Sequence, residues 1–123
     1  MVGYVTLGTK DLARATEFYD DLLSALDVKQ FMTNDRMVIW GAEGGGAMLG
    51  LCTPFDGDGA TVGNGAMVAL SLSSKDAVEK LHARALELGG TNEGDPGPRA
   101  GGGMYAGYFR DLDGNKLVGY CFG

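Results

Sequence analysis

Met104 to Phe122 reads MYAGYFRDLDGNKLVGYCF, and two β-rich runs flank its centre, Asp111-Leu112-Asp113-Gly114-Asn115. Asp-Gly between alternating apolar residues is a strong short-range signal for a β-hairpin. Gly114 supplies the positive φ that the turn needs at no steric cost, and Asp113 and Asn115 can bond their own backbone and tolerate left-handed geometry. Turn formation also accounts for the closely spaced carboxylates Asp111 and Asp113, which are not read as an acid/base pair.

Working back from the hairpin, Asp95 to Gly103 has the composition of a Gly/Pro loop, and Thr91 to Glu93 is a short strand candidate. Before these, Val78, Leu81, Ala85 and Leu88 form the apolar stripe of a helix. Ser73 or Ser74 can cap its start, and Gly89-Gly90 ends it. Met67 to Leu72 reads as a strand. Further back, Pro54 to Gly65 (PFDGDGATVGNG) has no periodicity and reads as a connection.

The front of the chain repeats this order. Val2 to Leu7 alternates as a strand, and Asp11 is a suitable N-cap. Leu12, Ala15, Tyr19, Leu22 and Leu26, with Phe18 and Leu23 beside them, lie on one stripe of an amphipathic helix. Lys29 to Met32, Met37 to Gly41 and Ala47 to Thr53 then read as strands separated by turn-rich segments. Tyr4-Val5-Thr6-Leu7 overlays Met67-Val68-Ala69-Leu70, and Lys10-Asp11 overlays Lys75-Asp76. Each half is therefore strand, helix, three strands. A half-sheet with a helix on one face cannot bury its other apolar side alone, so two halves are expected to pair. The expected fold is α+β: two tandem βαβββ modules, 1–53 and 66–123, joined by the connection 54–65. They form one domain over 1–123, a curved mixed sheet with a concave cleft and its helices on the convex side.

Composition narrows the function. A chain of 123 residues with 45% hydrophobic residues can bury a core within one domain. The formal charge of −6, with no basic cluster to interrupt it, repels phosphate backbones, so nucleic acid is not an expected partner. No apolar run approaches the ~20 residues of a membrane span. The first residues pass directly into a strand without a basic-then-apolar leader, so a cytoplasmic protein is expected. Cys52 and Cys121, each inside a strand-like run, are too few for a disulfide framework and read as reduced structural thiols. The clustered glycines form neither a P-loop nor a dinucleotide-binding fingerprint.

Three stretches carry a resemblance: YVTLGTKDLARATEFYDDLL at the front, HARALELGG in the second helix, and FRDLDGNKL at the end. Together they resemble the vicinal oxygen chelate superfamily, which contains glyoxalase I, bleomycin-resistance proteins and extradiol dioxygenases. The last stretch is similar to the family's F-x-D-P-D-G-N, with Leu112 in place of proline. With Gly97-Pro98-Arg99, the whole chain is most similar to small bacterial glyoxalase-like members that carry no assigned reaction.

The resemblance implies a scaffold whose metal enzymes take four ligands, usually His, Glu or Gln, His and Glu, from the first and last strands of the two modules. Here Tyr4 and Met67 stand at the two His positions, and Val118 stands where the last Glu would be. Ala47 to Thr53 holds no His, Asp, Glu or Gln. A catalytic metal needs about three or more converging N, O or S donors. The chain's one histidine, His82, falls on the flank of the second helix's apolar stripe and reads as a surface or boundary residue. No metal and no cofactor are expected.

If the family's ligand positions face the cleft, strand alternation places Tyr4, Thr6, Met67, Ala69, Ser71, Val118 and Tyr120 on that face. Trp40, Met48, Tyr105 and Tyr108 are further candidates, and Arg99 at the rim could grip an anionic group. The candidate ligand-binding set is thus Tyr4, Thr6, Trp40, Met67, Arg99, Tyr105, Tyr108 and Tyr120. Such a lining suits a small, partly aromatic or hydrophobic molecule. The leading expectation is a metal-free glyoxalase/bleomycin-resistance-like binding protein, and the resemblance implies a homodimer. The alternative is a lactoylglutathione-lyase-like or isomerase enzyme that works without the four-ligand metal site, using cleft tyrosines and Arg99. Whether any reaction is catalysed stays open.

Overall fold

Ten regular elements follow one another in the order βαβββ, βαβββ, in a computed structural model that describes residues 1–123. The chain divides into two units, Met1–Val62 and Gly63–Gly123.

In the first unit, β1 (Tyr4–Gly8), β2 (Val28–Thr33), β3 (Met37–Ala42) and β4 (Met48–Cys52) form a sheet of order β1-β4-β3-β2. β1 runs parallel to β4 and the other neighbours are antiparallel. The helix α1 (Leu12–Leu23) starts where Asp11 accepts the backbone N–H of Arg14 at 3.1 Å. That bond satisfies one of the amides left free at a helix start. Its stripe of Ala15, Phe18, Tyr19, Leu22 and Leu23 is buried, as the periodicity predicts. The helix tightens into a 3-10 turn at Ser24–Leu26, and Asp27 in the left-handed region (φ 55°) turns the chain into β2.

The second unit repeats the plan with β5 (Val68–Ser71), β6 (Thr91–Arg99), β7 (Met104–Arg110) and β8 (Lys116–Phe122), ordered β5-β8-β7-β6. Ser74, of the two serines proposed, caps α2 (Lys75–Glu87) by accepting the N–H of Ala77 at 3.1 Å. Gly89 ends the helix with φ 104°, a left-handed conformation that costs a glycine little. Val78, Leu81, His82 and Ala85 form its buried stripe.

Two sequence expectations are corrected here. The segment from Asp95 to Arg99 is not a loop: β6 runs unbroken from Thr91 to Arg99 and takes in Pro96 and Pro98. As the edge strand it tolerates prolines, whose missing N–H has no partner to lose on the open side. The register breaks twice, between Asn92 and Gly94 and between Gly94 and Gly97, and these bulges disguised the strand by disrupting its alternation. His82 is not a surface residue either. It is 5% exposed, its Nε2 lies 3.0 Å from both the Asn92 side-chain oxygen and the Tyr108 carbonyl, and its ring packs edge-on to Phe109. It ties α2 to β7 and to the first β6 bulge.

The hairpin of β7 and β8 is as expected, and Gly114 takes φ 90°. The clamp is chiefly Asp111, whose Oδ1 accepts the N–H groups of Asp113 and Asn115 at 2.9 Å each, while its Oδ2 accepts from Asn115 Nδ2 at 3.0 Å. Asp111 and Asn115 are both buried by this arrangement. No helix is long and apolar enough to cross a membrane.

Candidate functional site

The face that each strand residue takes can be fixed from the helix contacts. In the second unit, a Cβ on Gly119 would meet Leu81, and one on Gly107 would meet His82, so Gly119 and Gly107 lie under α2. Alternation then puts Leu117, Cys121, Tyr105 and Phe109 on the helix side, and Val118, Tyr120, Phe122, Ala106 and Tyr108 on the helix-free side. Ala69 pairs with Val118 and Ser71 with Tyr120, which extends the helix-free face onto β5. Tyr120 packs edge-on to Phe122 with ring centroids 5.4 Å apart. Met67 precedes β5 and is exposed.

Tyr105 therefore points away from Tyr108 and Tyr120. Its hydroxyl donates to Glu79 on α2 at 2.7 Å, and the Lys75 ammonium lies over its ring. The bond to Glu79, foremost, and then loss of hydration push the Tyr105 phenol above its ordinary value.

Tyr108, by contrast, sits between two cations. The Arg99 guanidinium lies 5.5 Å and the Lys116 ammonium 5.4 Å from its ring centroid. Arg99 donates to the carbonyls of Asp95 (2.8 Å) and Pro98 (3.1 Å), which bends it back along its own strand. Gly94 and Gly97 leave room for this: a Cβ on Gly97 would lie 3.1 Å from Arg99 Nη1, and one on Gly94 would lie 3.3 Å from the Tyr108 ring. The guanidinium thus rests in a cradle formed by the bulged, glycine-bearing stretch of β6. Beyond it, Arg110 pairs with Glu93 and donates to the Gly114 carbonyl at 2.8 Å. The Arg110 hydrogen bond and charge hold the Glu93 carboxyl below its ordinary range, with a smaller contribution from Lys116.

In the first unit, Gly50 stands between Thr6 and Ile39, whose side chains would lie 3.2 and 3.3 Å from a Cβ there. Tyr4 and Thr6, two apart, are both exposed on this helix-free face. Trp40 is on the other side. It is 2% exposed, its ring lies 5.8 Å from that of Tyr19 on α1, and its Nε1 donates to Asp20 at 2.8 Å. Its neighbours make it part of the α1 core. Two surface hollows of this unit, about 400 Å³ beside Thr9, Lys10 and Asp58 and about 260 Å³ beside Lys29, Phe31 and Glu43, include none of the predicted binding residues.

The structure therefore brings Arg99, Tyr108 and Tyr120 onto one face of the second unit, keeps Tyr4 and Thr6 on the helix-free face of the first, and assigns Trp40 and Tyr105 to the helix sides. Lys116 was missed by sequence reasoning. Its spacing of two and four from Val118 and Tyr120 was the available signal.

The four-ligand metal site of the family's metal enzymes needs converging side-chain donors. No group of three or more His, Cys, Asp or Glu side chains is placed to hold an ion. Val118 is a buried valine paired with Ala69 and Tyr108. These residues do not fit such a site.

Fold and sequence agree on the class. The family model of the Glyoxalase/Bleomycin resistance protein/Dioxygenase superfamily matches residues 1–118, and the chain belongs to that superfamily. Among solved structures, it is similar to a glyoxalase/bleomycin resistance protein from Albidiferax ferrireducens T118, with 31% identity, a TM-score of 0.91, and coverage of 100% of this chain and 99% of that one. A lactoylglutathione lyase from Agrobacterium tumefaciens shares the fold at 20% identity and a TM-score of 0.74, over 98% of this chain and 92% of its own. A glyoxalase/bleomycin resistance protein/dioxygenase family enzyme from Burkholderia phytofirmans PsJN does so at 15% identity and a TM-score of 0.78, over 98% and 97%. No curated protein matches the chain.

Proposed function

We propose that this chain is a metal-free member of its superfamily that binds a small, partly aromatic or hydrophobic molecule on a helix-free sheet face. The single observation that carries this reading is the surround of Val118. Where the family resemblance would put a chelating glutamate stands a buried aliphatic side chain, with half-buried Tyr108 and Tyr120 on the same face. A valine cannot donate an electron pair to a metal, whereas an apolar floor with phenol tips favours planar, weakly polar ligands. Tyr120 and Tyr108 are the proposed contacts in the second unit. Met67 at the head of β5 is a further candidate in that unit, and Tyr4 and Thr6 are the candidate contacts on the helix-free face of the first unit, taken by itself. A homodimer and a cytoplasmic setting, in which Cys52 and Cys121 stay as free thiols, belong to the same proposal.

The test is titration with 2-naphthamide, a neutral planar probe, followed by the amide and aromatic NMR resonances. Saturable shifts centred on Tyr108 and Tyr120, weakened about tenfold by Tyr120→Ala, are expected from the loss of one aromatic contact. Absence of saturable shifts on this face overturns the reading, as does elemental analysis showing one tightly held transition metal per chain. Light scattering that shows a monomer at micromolar concentration removes the dimer.

A further inference from the structure

On the reading that this face binds a ligand, we propose that the ligand carries an oxyanion, in its simplest form a carboxylate on a planar ring, and that Arg99 and Lys116 hold it beside Tyr108. Arg99 commits one N–H to the Pro98 carbonyl and one to that of Asp95. A guanidinium has five N–H donors, so three stay available in a fixed planar fork. Lys116 forms no ion pair: its ammonium lies 5.4 Å from the Tyr108 ring centroid and acts on Glu93 only as the smaller, longer-range charge beside Arg110. The two carboxylates of β6 are already engaged, Glu93 by Arg110 and Asp95 by the Asn92 side-chain amide at 2.7 Å. Two cations therefore flank one aromatic ring with neither in an ion pair with a protein carboxylate, in a chain whose formal charge is −6.

The cations are built into place. Gly94 and Gly97 clear the space for the guanidinium, and the Asp95 carbonyl, within the second register break of β6, and the Pro98 carbonyl both accept from it. A carboxylate at the Tyr108 edge would take the free Arg99 fork and the Lys116 ammonium as charge-assisted donors. Tyr120 pairs with Ala106 and Tyr108 with Val118, so Tyr120 is one diagonal step away on the neighbouring strand, within reach of the ring attached to that carboxylate.

The experiment compares 2-naphthoate with its neutral isostere 2-naphthamide on wild-type protein and on Arg99→Gln, Arg99→Lys and Lys116→Met, by NMR titration. Naphthoate should bind about tenfold more tightly than naphthamide, a preference that shrinks as salt is raised. The ratio of the two affinities should fall towards one in Arg99→Gln and Lys116→Met, and partly recover in Arg99→Lys, which keeps the charge but not the fork. Lys116→Met tests the site without touching the Arg99 anchor of β6, so a folding defect in the arginine variants leaves the inference testable. Equal affinities for the two probes, with Tyr120 still shifting, overturn the anion site and leave the ligand face standing. A preference that survives both charge-removing substitutions overturns it as well. If neither probe moves Tyr120, both readings fall.

Discussion

Asp20 shows how one exposed carboxylate can decide where a buried aromatic goes. Its Oδ1 accepts from Trp40 Nε1 at 2.8 Å, and its two oxygens accept from Gln30 Nε2 at 3.0 and 3.1 Å. The indole therefore has a partner only on the α1 side of the sheet. Removing that partner leaves the N–H of a nearly buried ring unsatisfied, so Asp20→Ala should cost about 1–3 kcal/mol, read by chemical denaturation, whereas Asp20→Asn, which keeps an acceptor oxygen, should cost less. An unchanged midpoint in Asp20→Ala would show that water satisfies the indole equally well. Tyr105 offers a second prediction at this scale. Its folded-state pKa is raised, so its bond to Glu79 contributes stability below the ordinary phenol value of about 10 and loses it as pH rises through the higher folded value. In an ultraviolet titration Tyr105→Phe should remove a late-titrating phenol, and Glu79→Gln should bring that phenol back towards the ordinary value. Titration of the Tyr105 phenol at the ordinary value in wild type would contradict the Glu79 bond.

Among the elements, the helices were legible because their apolar residues recur at the period of the helix and their caps are spelled out by Asp11, Ser74 and Gly89. β6 was legible only at its start, Thr91 to Glu93, since its two bulges and two prolines erase the alternation by which the rest of a strand is recognised. What identifies it is a long-range fact, its pairing with β7, and single residues do not carry that. The junction of α2 with β6 depends on Gly90, where a Cβ would lie 2.7 Å from the Arg110 carbonyl oxygen and 2.8 Å from that of Ala85. Both obstacles are backbone and cannot rotate away. Gly90→Ala should therefore destabilise by about 1–3 kcal/mol or more, as overpacking does. Gly44→Ala, with nothing within 4 Å of its Cβ, should stay within about 0.5 kcal/mol of wild type. Equal thermal midpoints for the two variants would refute the crowding at Gly90.

Over the whole molecule, the repeat of strand, helix and three strands was readable from the overlay of Tyr4–Leu7 on Met67–Leu70, and both units have the same strand order. The candidate site was only half readable. Tyr120 came from its alternation with Val118, and Tyr108 and Arg99 from residue type, but which face an aromatic takes depends on parity, and Trp40 and Tyr105 took the helix faces once Asp20 and Glu79 supplied partners there. The same global view bears on metal. An ion present at a thousand times its dissociation constant would stabilise the native state by roughly 4 kcal/mol. In a domain of this size a change of that order moves the thermal midpoint by well over 5 °C. With Val118 buried and no cluster of three donor side chains, no such linkage is expected here. Dialysis against a chelator, followed by scans with and without added Zn²⁺, Ni²⁺, Mn²⁺ or Fe²⁺, should give midpoints that agree within about 1 °C, since no ion would be bound by the native state alone. A midpoint that falls by several degrees after chelation, and is restored by one of these ions, would mean that donors such as Cys52, the tyrosines or backbone carbonyls assemble a site this arrangement does not display.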